Sequence, residues 1–306
     1  MQATIRSAVS FTGTGLHSGV PVTLRILPAS AEYGIWFRRA DVLDVDPLIA
    51  AHWENVTPTR LCTQISNAAG TSVSTVEHVM AALAGCGVHN ALLELDGPEV
   101  PILDGSAALF VDGILASGVR AMPVPVRALQ VLRPVEVRIG DAMARLEPAE
   151  TLEMDFTIDF EDPAIGRQSK LLNLANGAFV RELCDSRTFC RHADIKAMHA
   201  CGLALGGSLE NAVVVDGARI LTPGGLRHPD EAVRHKMLDA MGDLALAGAP
   251  ILGRYTGVRA GHAVTARLLR ALFTGVDTFR MVDCTRGTHR NLPGVGADRV
   301  DLRRVA

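Results

Sequence analysis

The sequence feature that most constrains the fold is the segment over residues 229–246, which has the pattern of a long helix. Its apolar residues recur every three or four positions, the spacing that brings side chains to one helix face. They are Val233, Met237, Ala240, Met241 and Leu244. Gly248 and Pro250 then favour its end. A helix with so regular an apolar face predicts packing against a sizeable core.

The same helix carries His235, Asp239 and Asp243, each four residues after the one before. Residues at this spacing share one helix face, so a histidine and a carboxylate could both reach one divalent metal ion. The alternative interpretation is a solvated pair of side chains on a surface helix. The spacing alone does not decide between these two interpretations.

A second histidine lies beside a glutamate, His78 after Glu77, in a predicted helix over residues 76–83. Ser74 and Glu77 have the spacing of a capping box, which would give Glu77 a purely structural role. Alternatively, His78 binds a metal ion and Glu77 faces the water bound to it. A single Glu-His pair lacks the specificity of a longer metallopeptidase motif, so both interpretations stay open.

The remaining pattern predicts strands and one further helix. Residues 20–26 and 91–95 predict strands of the first half, and residues 131–139 and 152–160 predict strands of the second. A helix is predicted over residues 261–273, with His262 in its first turn. A histidine in such a position is more often a surface or core residue than an acid catalyst.

Two segments interrupt this pattern. Residues 120–125 contain two prolines and predict a boundary between two domains. Residues 274–306 are rich in Gly, Arg and Asp with little periodicity, so we predict a loosely ordered tail there.

Charge and hydropathy exclude several classes of protein. The formal net charge is −3, which provides no basic surface for nucleic acid or an anionic membrane. The sequence has no apolar run near the ~20 residues of a membrane helix and no signal-peptide pattern at its start, so we expect a cytoplasmic protein. None of the six cysteines forms a CxxC pair, which argues against a cysteine-rich zinc site.

Several long segments resemble the UDP-3-O-acyl-N-acetylglucosamine deacetylase family and occur in that family's order, over residues 3–273. The blocks are GTGLHSGVPVTL, STVEHVMAALAG, DGPEVPILDGSA, SRTF, GLALGGSLENAVVVD, DEAVRHKMLDAMGDLALAG and AGHAVTARLLRAL. The resemblance implies an α+β fold of two similar domains, residues 1–123 and 126–273, each a β-sheet layer with helices. The helices would be sandwiched between the domains, and an insert of the second domain would receive an acyl chain.

The resemblance also implies a zinc-dependent site. His78, His235 and Asp239 would bind one Zn²⁺ ion per chain, with Glu77 as the general base. His262, paired with Asp243, would protonate the departing amine. Thr188 and Lys236 would stabilise the oxyanion.

The substrate implied by the resemblance is a UDP-linked, acylated glucosamine. The matching positions for substrate contacts are His17, Cys62, Phe160, Phe189 and Arg259, although the family usually has a lysine where this chain has Arg259. The resemblance further implies a monomer. Two other functions remain conceivable at this point: a non-catalytic module that binds the sugar nucleotide, and a related zinc amidase or esterase with another substrate.

Overall fold

The described residues of the first half of the chain form a sheet layer with two α-helices. The computed structural model describes residues 1–57, 59 and 61–302. The strands are β1 (Ala3–Ile5), β2 (Val9–Thr14), β3 (Pro21–Pro28), β4 (Ile35–Arg39), β5 (Leu48–Ala50), β6 (Val56–Thr57), β7 (Gln64–Ser66), β8 (Ser72–Ser74), β9 (Ala91–Leu95) and β10 (Val119–Ala121); the helices are α1 (Glu77–Gly85) and α2 (Ala108–Ser117). The main sheet has the order β2-β3-β9-β4-β5, beside a small β6-β7-β8 sheet and a β1-β10 pair.

The second half repeats this organisation. Its strands are β11 (Arg127–Val131), β12 (Val135–Ile139), β13 (Ala142–Pro148), β14 (Leu152–Asp159), β15 (Arg167–Asn173), β16 (Phe189–Arg191), β17 (Val213–Asp216), β18 (Arg219–Ile220), β19 (Ile251–Val258) and β20 (Phe279–Asp283). Its helices are α3 (Ala178–Glu182), α4 (His192–Ala200), α5 (Glu231–Ala245), α6 (His262–Thr274) and α7 (Arg286–Arg290). The main sheet has the order β12-β13-β19-β11-β20, with β14 joined to β19 and β15 joined to β14. In the described part of the chain, no helix combines the length and the apolar character needed to cross a bilayer.

Strand β3 shows how alternation in the sequence becomes a sheet with one buried face. Val22, Leu24 and Ile26 are at most 3% exposed, whereas the residues between them reach solvent in part. The predicted strand is therefore confirmed from Pro21 onward. Val20 lies outside the strand and is exposed, because the turn before β3 includes Gly19 in the left-handed region, with φ of 68°.

The helices of the two halves meet through α1 and α5, as the family fold implies. The predicted helices match α1, α5 and α6 to within two residues at each end. The contact is close because Gly242 of α5 faces the backbone of α1: a Cβ atom at this position would lie 1.9 Å from the carbonyl oxygen of Glu77. The α+β fold with two similar halves is thus confirmed. The residue limits of the two domains remain predictions.

We expect Gly242→Ala to lower the free energy of unfolding by about 1–3 kcal/mol or more, because the added methyl forces α1 and α5 apart. Gly287 is a matched control, since it lies in helix α7 and the nearest atom to its added Cβ would be 3.7 Å away. Gly287→Ala should be neutral or slightly stabilising. Denaturant unfolding measures both variants; equal stabilities would contradict the close contact.

The prediction of a loosely ordered tail is wrong for much of residues 274–302. Strand β20 pairs antiparallel with β11 along its whole length, from Arg127 opposite Asp283 to Val131 opposite Phe279. Leu292 is 1% exposed and packs with three other buried residues. The segment lacks periodicity because a short strand at a sheet edge needs few apolar residues. Residues 303–306 of the predicted tail lie outside the described part.

The segment predicted as a domain boundary, residues 120–125, includes two residues of a strand. Arg120 and Ala121 belong to β10, which pairs antiparallel with β1. Regular structure is therefore interrupted only between Ala121 and Arg127, where β11 begins. Pro123 and Pro125 lie within this interruption, as their inability to continue a strand ladder favours.

Candidate active site and metal centre

A cavity of about 720 Å³ lies where α1, α5 and α6 converge with the segment that runs from β16 to β18. Glu77 and His78 occupy the first two positions of α1, and His262 is the first residue of α6. His235 and Asp239 lie one turn apart on α5. All five side chains line this cavity, although they come from distant parts of the chain.

Three of these side chains, His78, His235 and Asp239, could bind a metal ion and are called here the metal-ligand group. One ligand atom from each of His78, His235 and Asp239 lies within 4.8 Å of the other two. The Nε2 atoms of His78 and His235 are 3.4 and 3.2 Å from Asp239 Oδ1. That oxygen is buried and accepts no hydrogen bond from the described residues. Two imidazole nitrogens and an otherwise unpartnered carboxylate oxygen suit a zinc ion with one position left open.

The protonation state of His235 suits the same role. Its Nδ1 lies 3.0 Å from the Ser186 carbonyl oxygen, so Nδ1 carries the proton and Nε2 keeps its lone pair toward Asp239. Burial lowers the pKa of His235 to about 4, which keeps the ring neutral at pH 7. Burial would raise the pKa of Asp239, but His235 and Lys236 hold it well below its usual value. A neutral imidazole and an ionised carboxylate are the protonation states in which these side chains bind a metal cation.

Glu77 is buried at the edge of this group and does not take part in a capping box. The residue before α1 is Val76, with no side-chain cap, and Ser74 lies in β8, where its hydroxyl accepts a hydrogen bond from Gln64. The capping-box interpretation is therefore wrong. Glu77 Oε2 instead accepts a 3.0 Å bond from the Thr63 amide, and burial raises the pKa of the Glu77 carboxyl.

His262 forms an ion pair with Asp243, which is only 4% exposed. The interpretation of the α5 carboxylates as solvated surface charges is therefore wrong. His262 Nδ1 is 2.9 Å from Asp243 Oδ2, and His262 Nε2 is 3.7 Å from Glu77 Oε1 and 3.9 Å from Asp239 Oδ2. Burial and Lys236 lower the pKa of His262, but Asp243 and Glu77 outweigh them and raise it to about 9. His262 is thus an imidazolium at neutral pH.

The two remaining residues predicted as catalytic also line the cavity. The backbone amide of Thr188 donates to the carbonyl oxygen of Gly105 at 2.8 Å, which fixes the chain at the cavity wall. Lys236 Nζ lies 2.7 Å from Asp239 Oδ2. Burial would lower the pKa of Lys236, but Asp239 raises it above its usual value, so the side chain is a cation next to the metal-ligand group.

The structure brings three of the five predicted substrate contacts to the cavity. His17, Phe160 and Phe189 line it, and the rings of Phe160 and Phe189 meet edge to face at 5.3 Å. Cys62 is buried close to Glu77 without lining the cavity, and burial raises its thiol pKa to about 11. Arg259 lies outside the lining and is paired with Asp159 at 2.7 Å.

Sequence reasoning missed two buried residues that support the site. Thr63 bonds to both Glu77 and Asp243. Glu99 is 2% exposed and accepts bonds from the amide of His17 and the hydroxyl of Thr75, which holds one wall of the cavity. A single threonine and a single glutamate have no periodic or motif signal, because their partners are far away in the sequence.

Known proteins are similar to this chain over most of its length. A profile described as LpxC, UDP-3-O-acyl N-acetylglycosamine deacetylase, matches residues 2–274. Proteins named UDP-3-O-acyl-N-acetylglucosamine deacetylase are similar to this chain. The one from Anaeromyxobacter sp. (strain Fw109-5) is 50% identical over 284 residues, 93% of this chain and 92% of that protein.

Two further relatives carry the same name. The protein from Phenylobacterium zucineum (strain HLK1) is 49% identical over 280 residues, 92% of this chain and 96% of that protein. The protein from Shewanella sp. (strain W3-18-1) is 45% identical over 283 residues, 92% of each chain. With matches of this extent, and with the site geometry described above, the chain belongs to the UDP-3-O-acyl N-acetylglycosamine deacetylase family.

Proposed function

We propose that this protein is a zinc-dependent hydrolase that removes the N-acetyl group of UDP-3-O-acyl-N-acetylglucosamine, releases acetate, and so carries out the committed step of lipid A synthesis in the cytoplasm. The observation that supports it most is the convergence of His78, His235 and Asp239 beside a buried glutamate and a carboxylate-supported histidine in one cavity. The names of the relatives supply the substrate.

Amide hydrolysis requires three changes: the oxygen of water bonds to the carbonyl carbon, the C–N bond breaks, and the amine leaves with a proton. His78, His235 and Asp239 would hold the zinc ion, which would supply Lewis acidity at the site. Glu77 accepts the proton of the attacking water. Its buried carboxylate, with a raised pKa, suits a base that works near neutral pH.

His262 supplies the proton that the amine needs. Its Nδ1 is held by Asp243, so Nε2 is the nitrogen that faces the cavity and the Glu77 carboxylate. An imidazolium at this point protonates the nitrogen as the C–N bond breaks. The Thr188 hydroxyl and the Lys236 ammonium group stabilise the negative charge on the acetyl oxygen.

The shape of the cavity supports an acylated substrate. Apolar side chains of the segment from β16 to β18 line the cavity: Phe189, Ile195, Met198, Leu209, Val214 and Leu221. We place the acyl chain there and the sugar near His17 and Phe160. Arg259, which lies outside the cavity lining and pairs with Asp159 and Asp141, would contact the nucleotide with its remaining guanidinium N–H groups.

The function is tested by incubating the protein, with one equivalent of zinc, with UDP-3-O-acyl-N-acetylglucosamine and following the product by mass spectrometry. Loss of one acetyl group and release of acetate are expected. Binding without turnover would instead identify a non-catalytic module, and neither binding nor turnover would point to another substrate. Prolonged chelation should abolish turnover, and zinc should restore it.

We expect a bell-shaped dependence of the rate on pH, with an acidic limb from Glu77 and an alkaline limb from His262. Because Asp243 raises the pKa of His262, Asp243→Ala should move the alkaline limb to lower pH and lower the maximal rate. Metal content should not change, because Asp243 is outside the metal-ligand group. A profile that overlays that of the parent protein would remove Asp243 from the mechanism.

A further inference from the structure

Thr63 lies between Glu77, the proposed base, and Asp243, which pairs with the proposed acid His262. It is 3% exposed, directly precedes β7, and does not line the cavity. Its amide donates to Glu77 Oε2 at 3.0 Å, and its hydroxyl donates to Asp243 Oδ1 at 2.5 Å. Glu77 belongs to the first half of the chain and Asp243 to the second. Thr63 therefore contacts both the proposed base, Glu77, and Asp243, the partner of the proposed acid.

With the hydrogen bond from the Thr63 hydroxyl, both carboxylate oxygens of Asp243 have a partner. Asp243 Oδ2 takes the bond to His262 Nδ1, and Oδ1 takes the bond from Thr63. A carboxylate with both oxygens occupied cannot turn freely about its Cβ–Cγ bond, so it holds the imidazole in one plane. A carboxylate held only at Oδ2 would leave a buried oxygen without a donor.

The hydrogen bond from the Thr63 backbone amide holds the Glu77 carboxylate in a similar way. Because Oε2 of Glu77 is held by Thr63, Oε1 is the oxygen that faces His262 Nε2. The Thr63 carbonyl oxygen also accepts a 3.2 Å bond from the amide of Val76, the residue before α1. These two bonds attach Thr63 to the start of α1, so any shift of Thr63 moves Glu77 relative to Asp243.

We propose that Thr63 is a positioning residue, which holds Glu77 and the Asp243–His262 pair in the mutual arrangement that water attack and amine protonation need. The inference rests on the proposed deacetylation. Thr63 touches no reacting atom; it acts through Asp243 by its hydroxyl and through Glu77 by its amide. A side-chain substitution removes the first contact and keeps the second.

The test compares Thr63→Val, which has the same shape without the hydroxyl, with Thr63→Ser, which keeps it. We expect Thr63→Val to lower kcat by about tenfold to a hundredfold, the range for supporting residues around a site, with KM changed less than about threefold. Thr63→Ser should keep kcat within about threefold of the parent. Metal content should be equal in all three proteins.

Thr71→Val is the matched control for loss of a buried hydroxyl. Thr71 is 5% exposed, lies between β7 and β8, and donates its hydroxyl bond to the carbonyl oxygen of Asp46 at 2.7 Å. This variant should lower Tm about as much as Thr63→Val and leave kcat within about twofold of the parent. A purely structural role of Thr63 predicts the same result for both valine variants, and that outcome would overturn the proposal.

A double-mutant cycle with Asp243→Ala tests the contact itself, read in kcat and in Tm. If Thr63 acts through Asp243, Thr63→Val should change kcat less than about twofold in the Asp243→Ala background, and its Tm shift should also shrink. Effects that multiply in kcat and add in Tm would refute the link. A parent protein without turnover would reject the proposed function alone, because the Tm cycle still measures the link.

Discussion

Replacing Glu77 by glutamine is expected to lower the deacetylation rate by about two to four orders of magnitude, the range for a positioned general base. Glutamine keeps the shape of the side chain and an oxygen that accepts the Thr63 amide, but it cannot take a proton from water. The fold and the metal content should therefore persist. Turnover, thermal unfolding and metal content are measured on the same preparation.

The control is Glu54→Gln, because Glu54 is an exposed glutamate outside the cavity, with a side chain that is 66% exposed. It should match the parent in rate and in Tm. If Glu77→Gln lowered Tm strongly and kept its rate, Glu77 would be a structural residue, and the proposed base would have to be sought elsewhere in the cavity.

The second large effect concerns the metal. His235→Ala removes one of three proposed ligands and should abolish bound zinc and turnover together, because the two remaining side chains form an incomplete site. His52→Ala is a suitable control, since His52 is a partly exposed histidine that does not line the active-site cavity. Zinc per chain is counted by elemental analysis of the dialysed proteins.

Thermal unfolding tests metal binding without relying on turnover, because binding to the folded state raises its stability. A metal that binds only the folded chain raises Tm, so zinc should stabilise the parent and the His52→Ala variant but not the His235→Ala variant. Full zinc occupancy in His235→Ala with an unchanged rate would take His235 out of the metal site.

The sequence predicts the elements that local periodicity determines. The apolar spacing of α5 and the alternation of β3 each follow from one helix or strand burying one face. The position of His262 at the start of α6 follows from Gly261 before it, which precedes the helix in an extended conformation. These features depend on residues within a few positions of one another, where sequence patterns carry most information.

Contacts between distant residues could not be predicted in this way. Ser74 and Glu77 fit a capping box locally, yet Ser74 pairs in β8, and Glu77 turns toward Thr63. The burial of Asp243 depends on His262 and Thr63, one from a later helix and one from the other half of the chain. Neither partner shares a period or a motif with Asp243, so only the folded chain brings them together.

The three proposed metal ligands come from both halves of the chain, which sets an order of events when the protein is made. A ribosome extends the chain from its first residue, so the half with His78 emerges long before α5. The main sheet of the second half also forms late, because β19 and β20 come near the end of the chain. Strand β19 pairs with β11, β13 and β14, so the sheet cannot assemble before β19 is made. A growing chain thus has no complete set of the proposed ligands, so zinc binding would be a late step of maturation. Cells short of zinc would accumulate finished chains that lack metal, rather than chains arrested halfway through synthesis.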